Sequence, residues 1–138
     1  MSDMNDFNRA IIEEFRANDG KVGGPFEGAP VLLLTATGAK SGERRTTPVV
    51  YLQDGDRMVI FASKGGAPNN PGWYHNLRPN PSATVEVGSE KVDVDAVVTE
   101  GEERERLFRR QAEIFPQFAD YEQKTTRQIP VVALERKG

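Results

Sequence analysis

The segment TTPVVYLQDGDRMVIFAS, residues 46–63, carries the clearest fold signal of the chain. Residues 46–53 and 57–63 are two runs rich in β-branched and apolar side chains, and Asp54-Gly55-Asp56 stands between them. An Asp-Gly pair readily adopts the positive φ angles of a tight hairpin turn. The segment therefore predicts two antiparallel strands joined by a short turn.

Similar patterns predict four more strands around this hairpin. They are the apolar runs at 31–37 and 130–135 and the period-two alternations at 83–87 and 91–99. Helices are predicted at 5–17, after Asn70-Pro71 (with Asn70 as N-cap and Pro71 as first helical residue), at 102–115 and within 116–128. Short connections make the sheet antiparallel, and six strands in so few residues close most easily into a barrel. We therefore predict a mainly-β fold with flanking helices. We expect a helix and loop (1–30) to pack on a barrel (31–138), and the two parts to form a single domain.

Composition excludes several classes of protein. The 138 residues contain no cysteine, which excludes disulfides, thiolate zinc sites and a cysteine nucleophile. A single histidine, His75, rules out a histidine-rich metal site, and we predict no metal. The net charge of −3 argues against broad nucleic-acid binding. No apolar run is long enough to cross a membrane, and the first residues do not resemble a signal peptide, so we expect a cytoplasmic protein.

One turn of this acidic protein concentrates basic residues. Lys40, Arg44 and Arg45 stand against Glu43 within residues 38–47, which also hold two glycines. Exposed backbone amides beside cations bind phosphate and carboxylate groups well. A solvated hairpin turn is the alternative interpretation.

Three further segments contain candidate binding residues. Ser63 and Lys64 lead into Gly65-Gly66, where a planar ligand can approach the backbone. In residues 71–77, Trp73 and Tyr74 could wall a ring system, or Trp73 and Leu77 could be core residues; His75 fits a surface position. The last candidates are Phe115, Phe118 and Tyr121, for which core packing is the default and a hydrophobic lid over a substrate is the alternative.

Three stretches together resemble the deazaflavin-dependent nitroreductase and quinone reductase family of the split β-barrel flavin-binding superfamily. They are LTATGAKSGERRTTPVVYL (34–52), ASKGGAPNNPGWYHNLRPNP (62–81) and FPQFADYEQKTTRQIPVVAL (115–134). The resemblance implies an FMN-binding split barrel-like fold and an enzyme using reduced coenzyme F-420, a 5-deazaflavin with a phosphodiester and a polyglutamate tail. The implied reaction is hydride transfer to a quinone or nitroaromatic acceptor.

The resemblance also implies a set of site residues. For the cofactor they are Lys40, Arg45, Pro48, Ala62, Ser63, Lys64, Gly72, Trp73 and Asn76. Ser41, which lies with Lys40 between the two glycines of the basic turn, is a further predicted cofactor-binding residue. Lys40 and Arg45 would hold the anionic tail. Phe115, Phe118 and Tyr121 would line the substrate pocket, and the product's proton would come from Tyr121, Ser63 or water.

Two departures from the family pattern affect these expectations. Ala39 stands where many members carry a second basic residue, for which Arg44 is the nearest substitute. Phe115 and Phe118 stand where nitroimidazole-activating members carry tyrosine, which favours quinones over bulky nitro compounds.

Several alternatives stay open at this point. They are an FMN-dependent split-barrel oxidoreductase, a non-catalytic carrier of deazaflavin or flavin, and a barrel without ligand. The resemblance is also compatible with a homodimer and with peripheral membrane contact through a quinone substrate.

Overall fold

The computed structural model of the protein describes residues 3–23, 30–40, 42–63, 71–125 and 128–137. The strands are β1 Val31–Thr37, β2 Arg44–Asp54, β3 Arg57–Phe61, β4 Ser82–Val87, β5 Glu90–Val98 and β6 Val131–Arg136. The helices are α1 Asp3–Ala17, α2 Gly72–Leu77, α3 Gly101–Ile114 and α4 Gln117–Lys124. Each strand and helix expected from the sequence is therefore present, with ends shifted by a few residues.

The six strands form a closed barrel in the order β1-β2-β3-β6-β5-β4, and all neighbouring strands are antiparallel. The hairpin predicted around Asp54-Gly55-Asp56 pairs Asp54 with Arg57. Gly55 has a φ of 60°, which is costly for a residue with a Cβ atom. The predicted six-stranded antiparallel barrel with flanking helices is confirmed.

Strand alternation divides the apolar residues between the inside and the outside of the barrel. In β1, Leu32, Leu34 and Ala36 point into the barrel, whereas Val31 and Leu33 point outward beneath Phe15 of α1. The interior cluster also contains Trp73, Tyr74 and Leu77 of α2. Helix α2 thus contributes its apolar face to the barrel core.

A second apolar layer lies between the outer wall of the barrel and helices α3 and α4. It comprises Leu52, Val59, Phe61, Leu107, Phe108, Phe118, Ile129 and Val131. The sequence analysis did not anticipate two polar residues on the buried face of α3, Arg104 and Gln111. Arg104 donates to the carbonyl oxygen of Ile129 at 2.8 Å and lies over the ring of Phe108 at 4.7 Å, so its charge is partnered although the side chain is buried.

The start of α2 differs from the expectation. Pro71 is the N-cap residue, with φ −67° and ψ 156°, and the helix begins at Gly72. Placing Pro71 as the first helical residue was wrong, because its extended ψ angle is not helical while its restricted φ suits an extended residue equally well. Asn70, the expected cap, lies outside the described residues.

Candidate functional site

The turn between β1 and β2 is joined to α2 by a hydrogen bond across 37 residues of chain. The backbone N–H of Ala39 donates to the side-chain oxygen of Asn76 at 3.0 Å. Within the turn, the N–H of Gly38 donates to the carbonyl oxygen of Glu43 at 2.7 Å, and Gly42 has a φ of 72°. The turn is therefore held in a defined position against the helix.

A cavity of about 360 Å³ opens between this turn and α2. It is lined by Gly38, Ala39, Lys40, Arg45, Gly72, His75 and Asn76. Two cationic side chains from the β1–β2 region thus share one cavity with two of the predicted residues of α2. Glu43 is the nearest acid to Arg45, with 3.8 Å between their charged groups.

Arg44 and Arg45 point to opposite faces of β2. Arg44 donates to the hydroxyl oxygen of Thr84 at 3.1 Å, on the outer face of the barrel. Arg45 pairs with Ala36, whose side chain belongs to the barrel interior, and it reaches the cavity at the barrel mouth. Arg44 therefore does not supply a second basic group in this cavity in place of Ala39.

Part of strand β2, beside the predicted site, has an edge that no described strand covers. Its pairing with β1 runs from Val50 to Arg44, but its pairing with β3 stops at Tyr51↔Ile60. Among the residues that the structure describes, the edge of residues 44–49 that faces β3 thus has no partner strand. The N–H of Tyr51 donates toward β1, to Pro30, so the even-numbered residues of β2 direct their backbone groups to the open edge.

Pro48 lies on this open edge of β2. Proline has no backbone N–H, and at this edge no hydrogen bond to a described neighbouring strand is lost for that reason. This agrees with the preference of proline for strand edges. Ala62 and Ser63 continue the chain from the end of β3, at the level where β2 and β3 separate; both are buried. Pro48 thus lies on the part of β2 that has no described partner on the side of β3, and Ala62 and Ser63 directly follow the end of β3.

Helix α2 divides its residues between the core and the cavity. Trp73 and Leu77 are 9% and 4% exposed and pack in the barrel interior, which confirms the core interpretation of this pair. Gly72, His75 and Asn76 face the cavity. Among the described residues, nothing lies within 4 Å of the position that a Cβ atom of Gly72 would take, so they leave its backbone open to close approach.

The aromatic residues of the predicted substrate pocket lie on the outer wall of the barrel. The Phe118 ring contacts Phe61 at 5.8 Å and Tyr121 at 5.1 Å between centroids, and Phe115 lies 6.5 Å from Phe118. Phe118 is buried, whereas Phe115 and Tyr121 are partly buried. The structure brings these three rings together next to Phe61, the residue before Ala62, and not in the cavity with Lys40 and Arg45.

Two predicted cofactor residues, Ser41 and Lys64, lie outside the described residues. Of the residues lining the cavity, Gly38, Ala39 and His75 were not predicted as site residues, and His75 is the one with a titratable side chain. For His75 one signal was available, its spacing of three from Gly72 on a short helix, since such residues share a helix face.

Within the described ranges, no cluster of three or more histidine, aspartate or glutamate residues could hold a metal ion. No helix found in these ranges is long and apolar enough to span a membrane.

Comparison with known proteins gives consistent matches. The family model for F420H(2)-dependent quinone reductase matches residues 7–136. An F420H(2)-dependent quinone reductase of Mycobacterium tuberculosis is 41% identical over 127 residues, which cover 89% of this chain and 85% of the relative. A solved structure of an F420-H2 dependent reductase (FDR-A) has a TM-score of 0.71 at 41% identity and covers 77% of this chain and 94% of its own. Another, described as a domain-swapped dimer, has a TM-score of 0.73 at 36% identity, with coverage of 96% and 99%. The chain belongs to the F420H(2)-dependent quinone reductase family.

Proposed function

We propose that this protein is an oxidoreductase that binds reduced coenzyme F-420 and passes a hydride from it to a quinone. The observation that carries the proposal is the cavity in which Lys40 and Arg45 face α2. A cofactor with a phosphodiester and several carboxylates requires such a concentration of cations, and the rest of this chain is acidic overall. When bound, F-420 supplies the hydride; the protein supplies binding, orientation and a dry environment.

Lys40 and Arg45 are suited to different parts of an anionic tail. The guanidinium of Arg45 can form two parallel hydrogen bonds to one carboxylate, whereas Lys40 acts as a point charge. The side chain of Arg45 is 62% exposed and its contact with Glu43 is long, so it can turn to a ligand without losing a buried partner. The Ala39–Asn76 hydrogen bond holds the backbone beside Lys40 before the ligand arrives.

We propose that the ring of the cofactor lies near Pro48 of β2 and the end of β3. Support comes from the stretch of β2 around Pro48 that pairs with no described strand on the β3 side, from the position of Ala62 and Ser63 directly after β3, and from the open space that the described residues leave at Gly72. A flat ring system needs close access to backbone, which these small residues allow. The side chain of Trp73, on α2, packs into the barrel interior, so it would support the site from behind rather than offer an exposed stacking surface.

We assign the acceptor to the aromatic residues next to Phe61, at the end of β3. Phe118 is wedged between Phe61 and Tyr121, so it forms a fixed wall, while Phe115 and Tyr121 retain exposed surface that a flat quinone can contact. An apolar wall also excludes water from the hydride path. Tyr121, Ser63 and water are the candidate proton sources for the reduced product.

Three finer points belong to the same proposal. Nitroaromatic compounds are proposed as secondary acceptors, since the same apolar surface accepts other flat electrophiles. A homodimer is proposed because a solved relative is described as a domain-swapped dimer. Peripheral contact with a membrane is proposed because an apolar quinone would be delivered from one.

The test is steady-state oxidation of reduced F-420 by the purified protein with a panel of quinones and nitroaromatics. We expect quinone-dependent turnover and binding of F-420 in preference to FMN. Binding without turnover of any acceptor would indicate a carrier. Tight binding of FMN with no response to F-420 would indicate a flavin-dependent oxidoreductase, and no binding of either would leave a barrel without a cofactor.

A further inference from the structure

His75 is the single histidine of the chain and lines the cationic cavity. It lies on the same face of α2 as Gly72 and Asn76, and its side chain is exposed. Its ring meets the ring of Tyr74 edge-on, with 5.9 Å between centroids and 65° between planes. The imidazole therefore sits beside the groups proposed to hold the tail, with room for a ligand to reach it.

Several charged or titratable groups of the described residues line this cavity or lie next to the residues that line it. Lys40 and Arg45 line it, and Glu43 lies 3.8 Å from Arg45. Beside His75, Tyr74 meets the imidazole edge-on, and Arg78, directly after α2, lies over the Tyr74 ring at 5.8 Å. Among neighbouring cations a further positive charge is unfavourable, but a bound polyanion reverses that balance. Histidine is the side chain that gains or loses its proton most readily near neutral pH.

We infer that His75 takes up a proton from solvent when the anionic tail of F-420 binds, and that the imidazolium then serves as a third cationic contact. The inference rests on the proposed function and adds a pH-dependent residue to its cofactor site. The proton comes from solvent and forms an N–H bond at the unprotonated imidazole nitrogen, and no other covalent bond is made or broken. Because one proton is taken up, the affinity for F-420 rises as the pH falls.

The experiment measures the dissociation constant of oxidised F-420 at pH 6, 7 and 8. Three proteins are compared: the natural protein, His75→Gln and Arg109→Gln, the last of which removes an exposed charge from α3, away from the cavity. For the natural protein and for Arg109→Gln, we divide the affinity for F-420 by that of His75→Gln at the same pH. This ratio should be about three- to tenfold larger at pH 6 than at pH 8. Using the ratio to His75→Gln cancels any titration of the cofactor itself.

A second readout needs no substitution. Since the chain has one histidine, its imidazole resonances can be followed by NMR without ambiguity. Saturation with F-420 should shift the midpoint of the pH titration of these resonances to higher pH.

Two results would overturn the inference. If F-420 binds but the ratio is independent of pH, or the imidazole titration does not move, His75 is no part of tail binding and the proposed function stands. If F-420 does not bind at any pH, the proposed function fails and this inference with it.

Discussion

Replacement of Asp54 should destabilise the protein at neutral pH and have a smaller effect in acid. Asp54 lies in the β2–β3 turn, and its carboxylate contacts Arg57 at 2.6 Å, Arg106 at 3.3 Å and Arg110 at 3.1 Å. Hydrogen bonds from Arg106 and then Arg57 lower the pKa of Asp54 from 3.8 to about 2. The carboxylate therefore ties the hairpin to α3 while it is ionised.

The magnitude follows from the pKa difference. A lowered pKa means that the folded protein binds a proton less readily than the unfolded chain, so the stabilisation is complete above about pH 5 and is lost as the pH falls toward 2. Each unit of pKa difference between the folded and the unfolded state corresponds to about 1.4 kcal/mol, and solvent screening at the partly exposed arginine partners reduces the result to about 1–2 kcal/mol.

The assay is urea unfolding of the natural protein and of Asp54→Asn at pH 7, 5, 3 and 2. We expect Asp54→Asn to lower the free energy of unfolding by about 1–2 kcal/mol at pH 7, with the gap narrowing below pH 4. Asp56→Asn, in the same turn but exposed, is the matched control and should have little effect. Equal stability of Asp54→Asn and the natural protein at pH 7, or a gap that stays constant down to pH 2, would refute the reasoning.

Three further substitutions test the packing by chemical denaturation. Gln111→Met should raise the free energy of unfolding by about 1 kcal/mol, because both polar atoms of this fully buried amide lack a hydrogen-bond partner among the described residues; a loss of stability would show that the amide is bonded. Gly20→Ala should lower it by about 1–3 kcal/mol, since φ is 94° and an added Cβ atom would lie 2.7 Å from the Cα atom of Gly88; an unchanged midpoint would contradict this contact. Phe118→Ala should cost about 3 kcal/mol through loss of its packing against Phe61, whereas an effect below 1 kcal/mol would mean that the ring is a mobile cover.

The elements of the barrel could be predicted because their signals are local. The Asp54-Gly55-Asp56 turn, the alternation in residues 91–99 and the proline before α2 each depend on a few neighbouring residues. The exact role of Pro71 was missed, because both the N-cap and the first helical position accept the φ of proline.

The parts of the site that depend on register and long-range contact could be predicted less well. Arg44 and Arg45 are identical neighbours in the sequence, and only the pairing of Arg45 with Ala36 decides which of the two side chains reaches the cavity. The hydrogen bond from Ala39 to Asn76 joins residues far apart in sequence. The grouping of Lys40 and Arg45 with α2 came from the family resemblance rather than from any local pattern.

The burial of Arg104 shows the same limit. A charged residue in a helix with many exposed charges predicts a solvated position, and its hydrogen bonds to the carbonyl oxygen of Ile129 depend on where the chain returns after α4. Burial of a charge becomes acceptable only when such partners exist.

The most direct measurement compares the affinity of the natural protein and of Lys40→Ala/Arg45→Ala for two ligands: F-420 and a deazaflavin that lacks the phosphodiester and glutamate tail. If these cations hold the tail, the double variant should bind F-420 more weakly by about 2 kcal/mol, roughly thirtyfold, and should bind the truncated deazaflavin as the natural protein does. Equal affinity of the two proteins for F-420, or an equal loss for both ligands, would contradict the assignment of the cavity to the anionic tail.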